Sequence, residues 1–116
     1  MKTLHTNYKL DPGVITITVL VGSGQRGNTL VAIGGQVFAN GPVINALEIG
    51  KGNELAGKTL SVISNVSQTN TSTQDAVVTY QLRGGEEDRE HRLDDGFADG
   101  EVQIQFVATF DLTESP

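Results

Sequence analysis

From Val102 to Leu112, apolar residues fall at every second position: Val102, Ile104, Phe106, Ala108, Phe110 and Leu112. Gln103, Gln105, Thr109 and Asp111 lie between them, and Val107 is the one apolar residue out of phase. Successive side chains of a strand point to opposite faces, so a period of two predicts a strand with one buried face. At ~3.4 Å per residue that strand is roughly 37 Å long. A face carrying two Phe and two β-branched residues needs an apolar cover, which the rest of the chain has to supply.

The same pattern recurs upstream. Residues 2–10 place Leu4, Thr6, Tyr8 and Leu10 on one face and Thr3, His5, Asn7 and Lys9 on the other. Asp11-Pro12-Gly13 then reads as a turn, since Pro presets φ and Gly accepts positive φ. Val14–Val21 is apolar on both faces and predicts a central strand. Gly22–Asn28 is a Gly-rich loop. Thr29–Ala39 predicts one strand with a bulge or bend at Gly34-Gly35. Asn40-Gly41-Pro42 is a turn signal. Val43–Ile49 is a shorter strand, and Gly50–Gly57 a loop. Lys58–Ser67 and Asp75–Arg83 alternate with similar length around a polar tip, Gln68–Gln74, and predict an antiparallel hairpin. Gly84–Gly100 is charged and Gly-flanked, with a short strand expected from Arg89 to Leu93. The tail Thr113–Pro116 is expected to fray.

No window of 11 or more residues holds a 3.6-residue period; Val43–Leu55 comes nearest, but Gly50 and Gly52 interrupt it. The expected fold is therefore all-β, with no substantial helix. Residues 1–116 should form a single-domain antiparallel β-sandwich of about 7–8 strands, jelly-roll or immunoglobulin-like, whose two sheets cover one another.

Composition narrows the function. At 116 residues the chain can bury one core without staples. It has no Cys, hence no disulfide framework and no sulfur ligands. Residues 1–10 contain no apolar run of a signal peptide, and no window approaches the ~20 apolar residues of a membrane span. A cytoplasmic protein is the expectation. A net charge of −6 and a pI of about 4.7 repel phosphate backbones, which argues against nucleic-acid binding. Four Phe, two Tyr and no Trp leave little for base stacking or for a sugar-binding face.

Gly22-Ser23-Gly24-Gln25-Arg26-Gly27 matches G-x-G-x-x-G, but a phosphate cradle of the dinucleotide type needs a helix next. Thr29-Leu30-Val31-Ala32-Ile33 is strand-like instead. It echoes the strand after a kinase Gly-rich loop, yet Gly34 stands where the Lys belongs. The segment is read as a flexible hairpin loop.

The acids are more telling. Glu86, Glu87, Asp88, Glu90, Asp94, Asp95, Asp99 and Glu101 are 8 of the 14 in the chain, and Arg89 and Arg92 offset only part of them. Asp94, Asp95, Asp99 and Glu101 share a Gly-containing stretch, the oxygen-rich chemistry that Ca²⁺ selects. These four are the candidate metal ligands, although the spacing is not that of an EF-hand. The plainer reading is a solvated turn that blunts a sheet edge.

His5 is expected on the polar face of the first strand, unpaired. His91 stands among acids that raise its pKa if they are close. No G-x-S-x-G elbow and no nucleophile–base constellation is evident, so no enzyme activity is expected. Asn65-Val66-Ser67 and Asn70-Thr71-Ser72 fit the glycosylation sequon, which matters only in a secretory pathway. The expectation is a non-enzymatic binding or structural module that acts through its surface, with a protein partner or self-association and no cofactor. Its apolar excess on Val14–Val21 and Thr29–Ala39 permits burial against another subunit. The alternative is a calcium-dependent ligand module built on residues 84–101.

Overall fold

The structure is a computed structural model and describes residues 1–114. Among the described residues, nine strands form two packed sheets: β1 (Lys2–Leu10), β2 (Val14–Val21), β3 (Arg26–Ile33), β4 (Gln36–Gly41), β5 (Ile44–Lys51), β6 (Thr59–Ser67), β7 (Asp75–Arg83), β8 (Arg89–Gly96) and β9 (Gln103–Glu114). One helical turn, α1 (Gly52–Leu55), separates β5 from β6. The five-stranded sheet has the order β1-β9-β6-β3-β4, and the four-stranded sheet the order β5-β2-β7-β8. This is the β-sandwich expected from the alternating pattern.

The long alternating segment is β9, held between β1 and β6. Ile104, Phe106, Ala108, Phe110 and Leu112 are buried. The cover they need comes from Ile15, Ile17, Val19, Val78, Tyr80 and Leu82 of the facing sheet, all buried in the same core. A large apolar side chain buried this fully contributes roughly 1.5–3 kcal/mol relative to exposure. Val102 lies before the strand and is exposed. β9 runs on to Glu114, because Thr113 and Glu114 stand opposite Lys9 and Leu10 of β1. That part of the expected frayed tail is strand, and residues 115–116 lie outside the described residues.

Four expectations change. The sandwich is antiparallel except at β1–β9, which pair parallel, Lys2 opposite Phe106 through Leu10 opposite Glu114. Chain ends in neighbouring parallel strands require a crossover of the whole domain, which no local pattern announces. The expected hairpin of Lys58–Ser67 with Asp75–Arg83 does not form. β6 pairs with β3 and β9, while β7 pairs with β2 and β8 in the other sheet. Alternation shows that each strand buries one face, not which sheet it joins, and residues 68–74 are long enough to cross the ~10 Å between sheets.

Thr29–Ala39 is two strands rather than one bent strand. Gly34 and Gly35 both have positive φ, 58° and 84°, and make a two-residue turn between Ile33 and its partner Gln36. Finally, Gly50–Gly57 is not all loop. β5 continues to Lys51, and α1 buries Leu55 at the end of the core. Gly52 N–H donates to the Gly13 carbonyl at 3.0 Å, and a Cβ on Gly52 would collide with the Asp11 carbonyl.

Two connections, β3–β4 and β7–β8, are hairpins within a sheet; every other connection crosses between sheets. The sandwich therefore has two long flanks. β1 lies against β8 on one, and β4 and β5 border the other.

Candidate functional site

The acidic segment borders the β1/β8 flank. β8 runs to Gly96, longer than the expected Arg89–Leu93, and it places Asp94 and Asp95 on opposite faces of the sheet. Each of the bonded carboxylates is engaged locally. Asp94 accepts from Arg92 Nε at 3.0 Å, Asp95 from its neighbour Gly96 N–H at 2.8 Å, and Glu101 from Ala98 N–H at 3.2 Å. Phe97 is buried, and its N–H donates to the Gln74 carbonyl at 2.7 Å, so this aromatic anchor shapes the turn. Asp99 lies in the exposed part of that turn. Asp94, Asp95, Asp99 and Glu101 are not brought together. Among the described residues, no three His, Asp or Glu side chains form a group able to hold a metal ion.

Residues 84–86 are docked on β1. Gly85 N–H donates to the Tyr8 hydroxyl at 3.0 Å, and Glu86 N–H donates to the Lys9 carbonyl at 3.0 Å. A Cβ on Gly85 would meet the Tyr8 ring, so the close approach requires glycine there. Burial pushes the Tyr8 hydroxyl above its ordinary value, and Asp88 and Asp11 add to this against the opposing Gly85 hydrogen bond. A shallow cleft of about 240 Å³ remains between Asn7, Lys9, Glu87 and Arg89.

The two histidines differ from expectation. His5 is exposed as expected but paired, with Nε2 2.8 Å from Asp111 Oδ2 across the parallel strands. His91 does not gain basicity from the acids. Burial lowers its pKa first, and Arg89 adds to the effect. Its ring lies 5.6 Å from that of Phe110 and covers the core at the β1/β8 flank.

The Gly-rich segment is not a hairpin. β3 begins at Arg26, and Gly22–Gln25 carries the chain from one sheet to the other. Gln25 is 6% exposed and fixes the crossing. Its Nε2 donates to the carbonyls of Asn70 (3.2 Å) and Asp75 (3.1 Å), and its Oε1 accepts from the N–H groups of Thr69 and Asn70 at 2.9 Å each. Asn70 Nδ2 donates to the Ser23 carbonyl at 3.1 Å. The glycines serve a tight crossing; no helix follows to meet a phosphate.

The β4/β5 flank is different in character. β4, Gln36–Gly41, contains no charged residue. Val37 and Phe38 are 65% and 50% exposed, and Val43, just beyond the strand, is 76% exposed. The ladder with β3 breaks between Val31 and Ala32, where Ala39 and Val37 are the partners and Phe38 is the extra residue. A bulge interrupts the alternation of side chains, which leaves both Val37 and Phe38 at the surface. They border a groove shared with Ile33, Ile49 and Lys58. A second groove, of about 400 Å³, lies between Leu20, Arg26, Pro42 and Val43. The apolar excess of Val14–Val21 and Thr29–Ala39 thus has two explanations. β2 and β3 are internal strands, but Leu20, Val37 and Phe38 remain exposed. The available signal was the uncharged sequence of β4 behind its Gly-Gly turn.

Compared with protein-family models, with curated proteins and with solved structures, the chain matches none. No helix among the described residues is long and apolar enough to cross a membrane.

Proposed function

We propose that this protein is a non-enzymatic binding or structural module that works through the β4/β5 flank and is built into a larger protein assembly. The observation that carries this is the pairing of an uncharged edge strand with exposed Val37, Phe38 and Val43 on the flank away from the acidic 84–101 segment. Large exposed apolar side chains gathered on one surface mark an interaction site. An edge strand adds a row of backbone donors and acceptors that another chain can pair with.

A photo-crosslinking residue at position 37, compared with one at position 90 on β8, tests this in cells that make the protein naturally. Covalent adducts should form from position 37 and exceed those from position 90. No adduct from position 37 refutes the proposal.

A further inference from the structure

We propose that the occupant of the β4 edge is a second copy of this chain, docked so that β4 pairs antiparallel with its counterpart across a two-fold axis. This inference rests on the reading of the flank given above and names its partner.

The two sheets have four edge strands: β1, β4, β5 and β8. Edge strands invite pairing unless something blunts them, and charges, bulges and twist are the usual means. β8 carries Arg89, Glu90, Arg92, Asp94 and Asp95. β1 carries Lys2 and Lys9, with the His5–Asp111 pair beside them. β5 carries Glu48 and Lys51 and breaks register against β2 twice, with positive φ at Ala46 (49°) and Gly50 (137°). β4 has one bulge and no charge, and that bulge turns two large apolar side chains outward instead of burying one.

Charge favours β4 as the surface on which two copies meet. Residues 84–101 hold eight acids against two arginines, which equals the whole net charge of −6; the rest of the chain is balanced. That surplus lies along the flank opposite β4. Two copies meeting at β4 keep their acidic segments at the outer ends of the pair. A head-to-tail contact of β4 with β8 would instead press Val37 and Phe38 onto charged side chains and strip those of water. In a two-fold antiparallel pairing, an uncharged strand faces its own sequence, so no register places like charges opposite one another. The five-stranded sheets would join into one of ten strands, within the range of twisted open sheets.

A six-residue edge with a few apolar side chains is small beside the ~800 Å² per partner of a standard interface, so association should depend on concentration. Sedimentation equilibrium from about 5 to 500 μM tests it. The wild-type mass should rise from 12.3 kDa toward twice that value. Val37→Lys and Phe38→Lys, both at exposed positions, should keep wild-type circular dichroism and melting and stay monomeric. Amide exchange within β4 should slow as concentration rises in the wild type and not in either variant.

A wild-type mass fixed at 12.3 kDa throughout overturns the proposal, and so does a folded Val37→Lys variant that dimerises like wild type. If the chain is monomeric but crosslinks from position 37 to another protein, self-pairing is refuted and the module reading stands. Monomers without any such adduct remove both.

Discussion

Replacing Gln25 by Glu changes one amide group to a carboxylate at nearly constant shape, at the point where the Gly22–Gln25 crossing meets the 68–75 connection. The native amide donates two hydrogen bonds and accepts two, all within 3.2 Å, and is 6% exposed. A carboxylate keeps the two accepted bonds but loses both donated ones. It also points its charge at the carbonyl oxygens of Asn70 and Asp75. With a net value of about 1 kcal/mol per lost bond and a similar penalty for the carbonyls left dry, Gln25→Glu should cost about 3 kcal/mol at neutral pH. Gln25→Ala, which loses all four bonds, should cost about 4 kcal/mol.

For a chain of this length, 1 kcal/mol corresponds to roughly 4 °C, so each variant should melt about 12 °C or more below wild type. The two then separate by pH. Burial and the two carbonyls raise the pKa of the introduced carboxyl in the folded state above its unfolded value of about 4.3. A raised folded pKa means that the folded state binds the proton more tightly. The Gln25→Glu variant therefore recovers stability relative to wild type as pH falls toward about 4, whereas Gln25→Ala does not. Gln68→Ala is the control, since its one side-chain bond, to the Thr73 carbonyl at 3.2 Å, should be worth under about 1 kcal/mol. Urea and thermal unfolding across that pH range provide the assay. If Gln25→Ala melts within about 2 °C of wild type, the crossing is not held by this side chain and the reasoning fails.

Three further outcomes are expected. Tyr80 is fully buried with no well-formed hydrogen bond to its hydroxyl, and burial pushes that hydroxyl well above its ordinary value against an opposing pull from the nearby Ser64; Tyr80→Phe should leave the urea midpoint unchanged or raise stability by up to about 1 kcal/mol, and a loss above that value contradicts it. His91 has a folded pKa below 6.5, so the unfolded chain binds more protons; its contribution is complete above 6.5 and is lost as pH falls through that value toward the folded pKa. His91→Gln should therefore flatten the stability profile between about pH 7 and 5, as read by urea midpoints. Melts with excess Ca²⁺ and with chelator should coincide within about 2 °C, because Asp94, Asp95 and Glu101 are engaged separately; a rise on the order of 10 °C would restore the calcium reading.

Much of the sandwich was legible because burial of one face imposes a period of two. β1, β2 and β7 appear at the expected boundaries, and the face of β9 that alternates is the one that packs. Pairing was less legible. β6 and β7 have matching lengths and a polar link, and only the competing partners β2, β3, β8 and β9 decide that they lie in different sheets. The Gly34-Gly35 pair illustrates another limit. Two adjacent glycines license a bulge or a turn equally, and positive φ at both residues is a property of the folded backbone. At the candidate site, acidic composition drew attention to Asp94 and Asp95, but strand geometry sends consecutive side chains apart. Gln25 escaped notice because one polar residue in a Gly-rich loop looks solvated until its four partners converge from 44–50 residues away. The exposure of Val37 and Phe38 depends on a bulge and on β4 being last in its sheet, and neither is written in a local pattern.

Distance decides whether a chain of net charge −6 can meet its own copy at β4. β1, which lies against the acidic β8, is separated from β4 by four strand spacings, about 19 Å at ~4.8 Å each. The Debye length is about 8 Å at physiological ionic strength, so the acidic field at β4 falls to roughly a tenth of its unscreened strength. Two copies joined at β4 hold their acidic segments about twice as far apart again, where repulsion is negligible. At about 0.01 M salt the Debye length grows to ~30 Å, and the two surpluses are no longer hidden from one another. Self-association through β4 should accordingly weaken as salt is lowered and strengthen toward physiological salt. A contact made of ion pairs between the Arg- and Lys-bearing surfaces and the acidic segment would do the reverse. Sedimentation at the two ionic strengths separates them, and tighter association at low salt would rule out the uncharged edge as the surface that joins the copies.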